Sequence, residues 1–327
     1  MRRREFIALV GGAAVAWPVA ARAQQPRKVW RIGFLGTATA SGSASWVGAL
    51  REGLRDLGYV EGKNLVIEFR WAEDKYERLP GLAAELVRLK VDVIVTHATP
   101  GGRAAKAATT TIPIVMAIVA DPVATGIVAS LARPGGNVTG MTGINDEVAA
   151  KRLELLKGTF PRTRQVAVLL NPDNPSDIGP VFRAMEAAAK SLDLELHQFG
   201  VRVPGDFESA FAAIAKRRVD AVVSSQDTVL TDNAREIASL AAKMQLPSVG
   251  PYQFADAGGL MAYGANRLEF FRRAAYFVDR ILKGAKPADL PVEQATRFEM
   301  VLNLKTAKAL HIQFPQAVLA RADRIIE

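Results

Sequence analysis

Two polar residues follow predicted buried strands at positions where they could bind a small charged solute. Thr99 lies just before a predicted helix that opens at Pro100, so its hydroxyl and the nearby backbone amides could hold a carboxylate at the positive end of that helix. Asp227 follows a predicted strand in the second half of the chain and could accept an ammonium group, in a charge-assisted hydrogen bond worth roughly 1.5–3 kcal/mol. This pair suggests reversible binding of an amino-acid-like molecule. As an alternative, Asp227 only caps the helix that follows it.

The residue patterns that covalent chemistry requires are missing from the sequence. The chain has no cysteine, which excludes disulfides, cysteine nucleophiles and Cys-ligated metal sites. It contains no G-x-S-x-G, G-x-G-x-x-G, Walker-type phosphate loop or H-E-x-x-H. The three histidines, His97, His197 and His311, fall in unrelated predicted elements, so we expect no metal site. The sequence therefore predicts a protein that is not an enzyme and that needs no cofactor.

The elements that must position these residues alternate regularly along the chain. Short apolar runs at 31–36, 65–71, 91–96 and 114–116 are typical of strands. Between them lie stretches whose apolar residues recur at helical spacing, such as 46–57. Strand and helix alternating at this length indicate parallel β-α-β units in an open, doubly wound sheet. Loops at the carboxyl ends of such strands are where ligands bind.

The second half of the chain repeats this order. Residues 165–170 match the first strand, and residues 219–223 repeat the Val-Asp start of residues 91–95. The next strand of each half follows a Pro-x-Val sequence, within residues 112–115 and 246–249. These coincidences predict a duplication. We therefore expect an α/β fold of two doubly wound parallel-sheet lobes joined by a hinge, with a ligand cleft between them.

The N-terminus has the features of an export signal. A basic start is followed by an uncharged run at residues 6–21 and by an A-x-A cleavage sequence ending at Ala23. Arg3 and Arg4 resemble the twin-arginine variety of signal. The uncharged run is shorter than the ~20 residues that span a bilayer. We expect a signal peptide at residues 1–23, cleavage near Ala23, a periplasmic mature protein and no stable membrane insertion; a basic cytosolic protein is the alternative.

Part of the basic charge belongs to that segment. Residues 1–23 hold four arginines and one glutamate, so the net charge of +9 falls to +6 without them. The remaining lysines and arginines are scattered singly along predicted helices, and no basic run with interleaved aromatic residues occurs. This pattern is typical of a solvated mixed-charge surface, and it predicts no nucleic-acid partner.

Several longer stretches resemble one family, the ABC-transporter substrate-binding proteins related to the tryptophan/tyrosine-type binding protein. The stretches that carry the resemblance are residues 54–65, 70–73, 121–123, 130–140, 256–261, 280–287 and 303–307. They are spread over nearly the whole chain after the signal. The resemblance implies a type I periplasmic-binding-protein fold whose chain crosses three times between its lobes. The first lobe would hold residues 29–143 plus 262–290, and the second residues 144–261 plus 291–327.

The resemblance also implies a function. The protein would be a periplasmic receptor that captures a small amino-acid-like or other polar ligand by hinge closure and delivers it to an ABC-transporter permease. We expect it to act as a monomer. A ligand-sensing protein for a membrane receptor or kinase is the alternative that the sequence leaves open. An exported enzyme is disfavoured by the missing motifs, and a cytosolic regulator would need a DNA-binding segment where the export signal lies.

Each lobe should supply the residues that directly follow its strands. An amino-acid ligand needs donors for its carboxylate, an acceptor for its ammonium group and a pocket for its side chain, for which Trp46, Trp71 or Tyr252 could provide an aromatic wall. The predicted binding residues are Thr37, Ala38, Thr39, Trp71, His97, Ala98, Thr99 and Asp121 from the first lobe, and Asn171, Asp173, Asn174, Gln226, Asp227 and Tyr252 from the second.

Overall fold

The strands of the protein form two separate sheets. The computed structural model describes residues 28–327, so the predicted signal peptide at residues 1–23 and its cleavage near Ala23 lie outside the described residues. No helix between residues 28 and 327 combines the length and the apolar character needed to cross a bilayer.

The first sheet is parallel throughout. Its strands are β1 (Trp30–Gly36), β2 (Leu65–Trp71), β3 (Val93–His97), β4 (Ile114–Ala120), β5 (Val138–Gly143) and β11 (Glu293–Gln294). They lie in the order β11-β5-β4-β3-β1-β2. The helices on this side of the molecule are α1 (Ala44–Asp56), α2 (Leu79–Arg88), α3 (Ala98–Ala108) and α9 (Arg267–Leu282).

The second sheet is parallel except for one pair of strands. Its strands are β6 (Gln165–Leu170), β7 (Glu195–Gly200), β8 (Ala221–Ser224), β9 (Ser248–Gly250), β10 (Met261–Gly264), β12 (Glu299–Asn303) and β13 (Arg324–Ile326). They lie in the order β13-β12-β10-β9-β8-β6-β7, and β10 pairs with β12 in antiparallel fashion. Its helices are α4 (Asn145–Thr159), α5 (Phe182–Ser191), α6 (Phe207–Arg217), α7 (Thr228–Asp232), α8 (Ala234–Lys243), α10 (Leu304–Ala309) and α11 (Gln316–Leu319).

The two halves share one topology. The order β2-β1-β3-β4-β5 in the first sheet has the same pattern as β7-β6-β8-β9-β10 in the second. Corresponding aspartates also make the same hydrogen bond in each half. Asp92 accepts the backbone N–H of Arg31 at the start of β1, and Asp220 accepts the backbone N–H of Gln165 at the start of β6. The predicted α/β fold of two doubly wound sheets is therefore confirmed.

The chain changes sheet between β5 and α4, between β10 and α9, and between β11 and β12. Residues 261–264 lie in the second sheet and residues 293–294 in the first, and the lobe boundaries at 143, 261 and 290 stay a prediction. Strand β10 pairs with β9 up to Ala262 and with β12 up to Gly264, and β11 pairs with β5 before the chain returns to the second sheet.

Helix α9 returns to the first sheet because its apolar face completes the core there. Phe271 of α9 stacks on Trp46 of α1, with 5.7 Å between the ring centroids. Phe34 of β1 lies 6.4 Å from Phe271 in the same cluster. All three rings are buried. The position of α9, and hence of the residue at its start, is thus fixed by aromatic packing.

Two helices begin without a side-chain cap from the residue before them. Ser43 occupies the N-cap position of α1, but its hydroxyl caps no backbone group. Asp206 precedes α6, and its carboxylate accepts the backbone N–H groups of Arg202 and Val203 instead of one in the helix. At the other end of α1, Gly58 follows the C-cap residue Leu57 in the left-handed conformation, with φ of 90°.

Candidate functional site

The carboxyl ends of the two sheets meet each other. The hydroxyl of Thr37, which follows β1, donates to the hydroxyl of Thr228 at the start of α7, with 3.2 Å between the oxygens. Tyr76, in a short turn after β2, donates its hydroxyl to Asp227 Oδ2 at 2.8 Å. Helix N-termini and free backbone amides converge at this edge of a parallel sheet. The candidate binding cleft therefore lies between the two sheets.

Asp227 is the centre of a buried hydrogen-bond network. Its Oδ1 accepts the side-chain amide of Asn171 at 3.1 Å and the backbone N–H of Val229 at 2.9 Å, which makes it the N-cap of α7. Its Oδ2 accepts Asn174 Nδ2 at 2.8 Å as well as the Tyr76 hydroxyl. Burial raises the pKa of Asp227, whereas these donors favour the ionised form. A ligand ammonium could bind here only by displacing one of the four donors.

A second buried carboxylate lies beside this network. Asp177 Oδ2 accepts the backbone N–H of Asn171 at 3.0 Å and the hydroxyl of Ser225 at 2.6 Å. Burial, followed by the charge of Asp227, raises the pKa of Asp177 to about 7. Asn171 therefore links two acids: its backbone N–H donates to Asp177, and its side-chain amide donates to Asp227.

A small cavity lies between the sheets at the same edge. Its volume is about 20 Å³, enough for roughly one water-sized group. It is lined by Ala98, Thr99, Ile118, Ala120, Asn145, Asn174, Ser176, Gln226 and Arg267. The lining therefore combines the end of β4 and residues after β3, β5 and β10 with residues after β6 and β8.

Two donors at this cavity have no hydrogen-bond partner. Arg267, the first residue of α9, is 3% exposed, and its Nη1 donates to Thr231 Oγ1 at 2.8 Å. Its guanidinium lies over the Trp46 ring, 4.3 Å from the centroid, and its Nε is buried without a partner. The hydroxyl of Ser176, a residue only 1% exposed, is likewise unpartnered. Burial lowers the pKa of Arg267, and the charge of Asp232 opposes that shift.

Two further carboxylates close to Arg267 and Asp227 are also incompletely paired. Both oxygens of Asp232, at the end of α7, are buried without a hydrogen-bond partner, as is Oδ1 of Asp74. Burial raises the pKa of Asp232 to about 7, and the charges of Asp74 and Asp227 add to that shift while Arg267 opposes it. Burial and Asp227 raise the pKa of Asp74 to about 6. This part of the cleft is rich in buried acidic side chains whose ionisation is disfavoured by burial.

Gln226 is oriented by a buried arginine. Arg152 of α4 donates from Nη2 to Gln226 Oε1 at 3.0 Å and from Nε to the carbonyl of Tyr263 at 2.9 Å. Burial lowers the pKa of Arg152 to about 9. Its position ties α4, β10 and the loop after β8 together, so Gln226 presents a fixed side chain to the cavity.

His97 is enclosed by aromatic rings and is not among the residues that line the cavity. It lies 5.7 Å from the Trp46 ring and 5.6 Å from the Phe271 ring, and the backbone N–H of Thr37 donates to its Nε2 at 3.3 Å. Burial, with Arg267 nearby, lowers the pKa of His97 to about 3. The ring is therefore neutral at physiological pH and holds Thr37 in place.

Thr99 lies inside a helix, whereas the sequence analysis placed it just before one. Helix α3 begins at Ala98, which has a φ of 57°, and His97 is its N-cap residue. The Thr99 hydroxyl donates to the carbonyl of Ala120 at 3.4 Å. Because Pro100 is compatible with the first turn of a helix, the chain continues from Ala98 without a break. Thr99 therefore lines the cavity, but its hydroxyl hydrogen is already used in the bond to Ala120.

Four predicted residues have other roles near the first sheet. Trp71 stacks on Phe69 with 5.7 Å between centroids, as part of the core of that sheet. Asp121 has a φ of 35° and caps its own turn by accepting the backbone N–H of Ala124 at 2.9 Å. Thr39 accepts the backbone N–H of Gly42, and the side chain of Ala38 is fully buried.

Two predicted residues of the second half lie outside the cavity lining. Asp173 is exposed and pairs with Arg202 at 3.3 Å. Tyr252 is half-buried near the C-terminus of the chain, with the Arg324 guanidinium 5.7 Å from its ring centroid. Burial, followed by the charge of Glu299, raises the pKa of Tyr252.

Sequence reasoning missed several cleft residues because it considered only the positions directly after strands. Tyr76, Asp232 and Arg267 lie on a short turn or on helices beyond those positions. One signal was available for Arg267: Asn266 before it is a good N-cap residue, and its side chain does accept the backbone N–H of Leu268. Among residues 28–327, no group of three or more His, Cys, Asp or Glu side chains is arranged to hold a metal ion.

Comparison with known proteins places this arrangement in a family. Residues 39–326 match the family described as ABC transporter substrate binding protein. The tyrosine-binding protein of Clostridioides difficile (strain R20291) is 28% identical over 262 residues, which cover 80% of this chain and 74% of that protein.

Two crystal structures are similar over nearly all of the described chain. A conserved domain protein from Vibrio cholerae O1 biovar El Tor has a TM-score of 0.85 and 28% identity, covering 91% of this chain and 100% of that one. An ABC domain from Streptococcus pneumonia in complex with L-Trp has a TM-score of 0.84 and 25% identity, with the same coverage. Because the family match spans both sheets and the cleft between them, the chain belongs to the family of ABC transporter substrate-binding proteins.

Proposed function

We propose that this protein is the periplasmic receptor of an ABC importer and that it captures a small amino-acid-like solute in the cleft between its two sheets. It performs no covalent chemistry on that solute. The observation that carries the proposal is the meeting of buried polar and charged side chains from both sheets, among them Arg267, Ser176 and Asp227. Buried polar groups without partners are unfavourable, and a polar ligand would satisfy them.

The relatives favour an aromatic amino acid as the solute. One is a tyrosine-binding protein, and another was crystallised with L-Trp. The small cavity has a volume of about 20 Å³, which is too small for an aromatic side chain. That side chain would need space that the closed cleft does not offer. We therefore propose that the cleft opens to admit the ligand and closes around it.

The opening motion would occur where the chain changes sheet. Three connections join the two sides, after β5, after β10 and after β11. We propose that residues up to 143 move with the segment containing α9 and β11 as one lobe. The rest of the described chain would move as the other lobe. Contacts across the cleft, such as the Tyr76 hydroxyl on Asp227, would break on opening.

The proposed location and partner follow from the N-terminal sequence and the family. Residues 1–23 would direct export and be removed near Ala23, leaving a monomer free in the periplasm. The partner would be the permease of the importer, which would receive the closed, loaded receptor.

Calorimetry on the mature chain from Gln24 onward tests this function. We expect L-Trp or L-Tyr to bind with one ligand per chain, and L-Leu to bind more weakly. At a concentration of 100 times its dissociation constant, the ligand should stabilise the protein by about 2.7 kcal/mol in a thermal melt. X-ray scattering should show a smaller radius of gyration in the presence of ligand.

Two results would contradict the proposal. The first is a melting temperature unchanged by every amino acid at millimolar concentration. The second is conversion of the ligand to a product during the titration, detected by mass spectrometry, because a receptor returns its ligand unaltered.

A further inference from the structure

We propose that Arg267 and Ser176 together form the subsite for the carboxylate of the ligand, each donating one hydrogen bond from opposite sides of the cleft. This inference rests on the proposed function, and it specifies the ligand as a carboxylic acid. The sequence analysis expected the Thr99 hydroxyl to hold the carboxylate, and this inference assigns it to two other donors at the same cavity.

Arg267 keeps one buried donor without a hydrogen-bond partner, although the charge of Asp232 acts on its pKa. One side of the guanidinium is fixed by the hydrogen bond to Thr231 and by the Trp46 ring beneath it. The Nε donor is buried, lacks any partner, and belongs to a residue that lines the cavity. A guanidinium presents its N–H donors in a rigid planar fork that matches a carboxylate. The Nε donor of Arg267 is therefore available to a carboxylate bound in the cavity.

Ser176 supplies the second donor from the other sheet. Its backbone N–H is used by Asn174 Oδ1 at 3.1 Å, which fixes the turn, while its hydroxyl has no partner. Ser176 lines the same cavity as Arg267. A carboxylate between the two residues would satisfy both orphan donors and link the two sides of the cleft. Leaving such donors buried and unsatisfied is unfavourable, so closure would be coupled to occupancy.

The surroundings favour a singly charged anion over a doubly charged one. Four acidic side chains lie near the two buried arginines of the cleft, Arg152 and Arg267; they are Asp74, Asp177, Asp227 and Asp232. Any ionised carboxylate among them repels a dianion about twice as strongly as a monoanion. The cavity of about 20 Å³ has room for roughly one water-sized group, so a carboxylate enters only when the cleft widens.

Thr99 is less suited to this role. Its hydroxyl already donates to the carbonyl of Ala120, and it contributes surface to the cavity wall. The side-chain amides of Asn145 and Asn174, which also line the cavity, could support a bound carboxylate from the side.

A ligand series tests the subsite without any mutation. If L-Trp binds the mature protein, tryptamine, which lacks the carboxylate, should bind at least about a hundredfold more weakly. Indole-3-propionate, which keeps a carboxylate and lacks the ammonium group, should retain more affinity than tryptamine. Equal affinity of L-Trp and tryptamine would overturn the subsite and leave the receptor function intact.

Variants locate the effect. Arg267→Gln should lower the affinity for L-Trp by about a hundredfold, and Ser176→Ala, a milder change, by about five- to tenfold. Arg272→Gln is the matched control, because Arg272 lies on the same helix but is exposed and pairs with Asp56. If Ser176→Ala and Arg267→Gln both bind L-Trp as the wild type does, the assignment is wrong.

Acetate provides a probe that does not depend on amino-acid binding. Sodium acetate should raise the melting temperature of the wild type above that in sodium chloride of equal ionic strength, and Arg267→Gln should abolish the difference. This result would support the subsite even if no amino acid binds. An equal acetate effect in the wild type and in Arg267→Gln would mean a general salt effect and would contradict the proposal.

Discussion

The hydroxyl of Tyr76 donates a 2.8 Å hydrogen bond to the buried carboxylate of Asp227, a residue 151 positions later in the chain. The Tyr76 ring packs against apolar residues of both sheets, and burial and Asp227 raise its pKa well above the usual value for tyrosine. Asp227 in turn caps α7 and holds two asparagine amides. One contact thus joins the two sides of the cleft and the network that lines it.

Replacing Tyr76 should weaken the contact between the two sides. Tyr76→Phe removes the cross-sheet donor and keeps the ring, so we expect a loss of about 1–2 kcal/mol in the free energy of unfolding. The ligand-free protein should also show a larger radius of gyration in X-ray scattering. Tyr263→Phe is the control, because the Tyr263 ring stacks on Phe298, 6.3 Å between centroids, away from Tyr76. Identical scattering of Tyr76→Phe and the wild type would mean that the hydrogen bond between Tyr76 and Asp227 does not hold the cleft closed.

Asp227 should matter for binding through the groups that it positions. Asp227→Asn replaces one acceptor oxygen by an NH2 group, which cannot accept the hydrogen bonds that Asn171, Asn174 and Tyr76 donate to Asp227. We therefore expect the affinity for an amino-acid ligand to fall about tenfold or more. Calorimetry measures the change. Asp220→Asn is a matched control at the opposite end of β8, where the carboxylate binds backbone N–H groups at 2.7 and 2.8 Å. It should lower stability and leave affinity unchanged; a loss of affinity in both variants would indicate a general folding defect.

Stability should depend on pH through Asp232. Burial raises its pKa in the folded protein from 3.8 to about 7, against the opposing charge of Arg267 and with the charges of Asp74 and Asp227 adding to the shift. The folded state therefore binds a proton that the unfolded state lacks between these values. This contribution to stability is complete below pH 3.8 and is lost as the pH rises through about 7.

Asp232→Asn should flatten that dependence. At pH 8 we expect the variant to be more stable than the wild type by about 1–3 kcal/mol, because a buried unpartnered charge is removed. Melting curves from pH 5 to 8 measure the slope. Asp256→Asn, an exposed acid paired with Arg324, serves as the control and should keep the wild-type slope. An unchanged slope in Asp232→Asn would rule out this titration.

Gly42 allows the two sides of the cleft to approach closely. A Cβ at this position would lie 2.6 Å from Asp232 Oδ2 and 3.1 Å from Thr39 Oγ1. Gly42→Ala should therefore hinder closure and weaken ligand binding by about fivefold, the equivalent of about 1 kcal/mol. Gly48→Ala, in α1, is the control, since nothing lies within 4 Å of the added methyl group there. It should stabilise the helix by about 0.5–1 kcal/mol and leave affinity unchanged.

The candidate site was only partly accessible to reasoning from the sequence. The rule that ligand groups follow parallel strands selects Asn174, Gln226 and Thr99, which line the cavity. The same rule also selects Trp71 and Asp173, which have structural or surface roles. It misses Arg267, because that residue reaches the cleft at the start of a helix and not at the end of a strand.

The sequence by itself predicted the alternation of strands and helices, the duplication and the parallel pairing of strands, because the spacing of apolar residues depends on local geometry. The Val-Asp and Pro-x-Val patterns in the two halves predicted the duplication, and the structure shows that the halves share one strand order. Only the tertiary structure decided which polar groups meet. Tyr76 reaches Asp227, and Arg267 and Ser176 line one cavity, because aromatic packing of α9 on α1 and the crossings between the sheets set distances that no local pattern encodes.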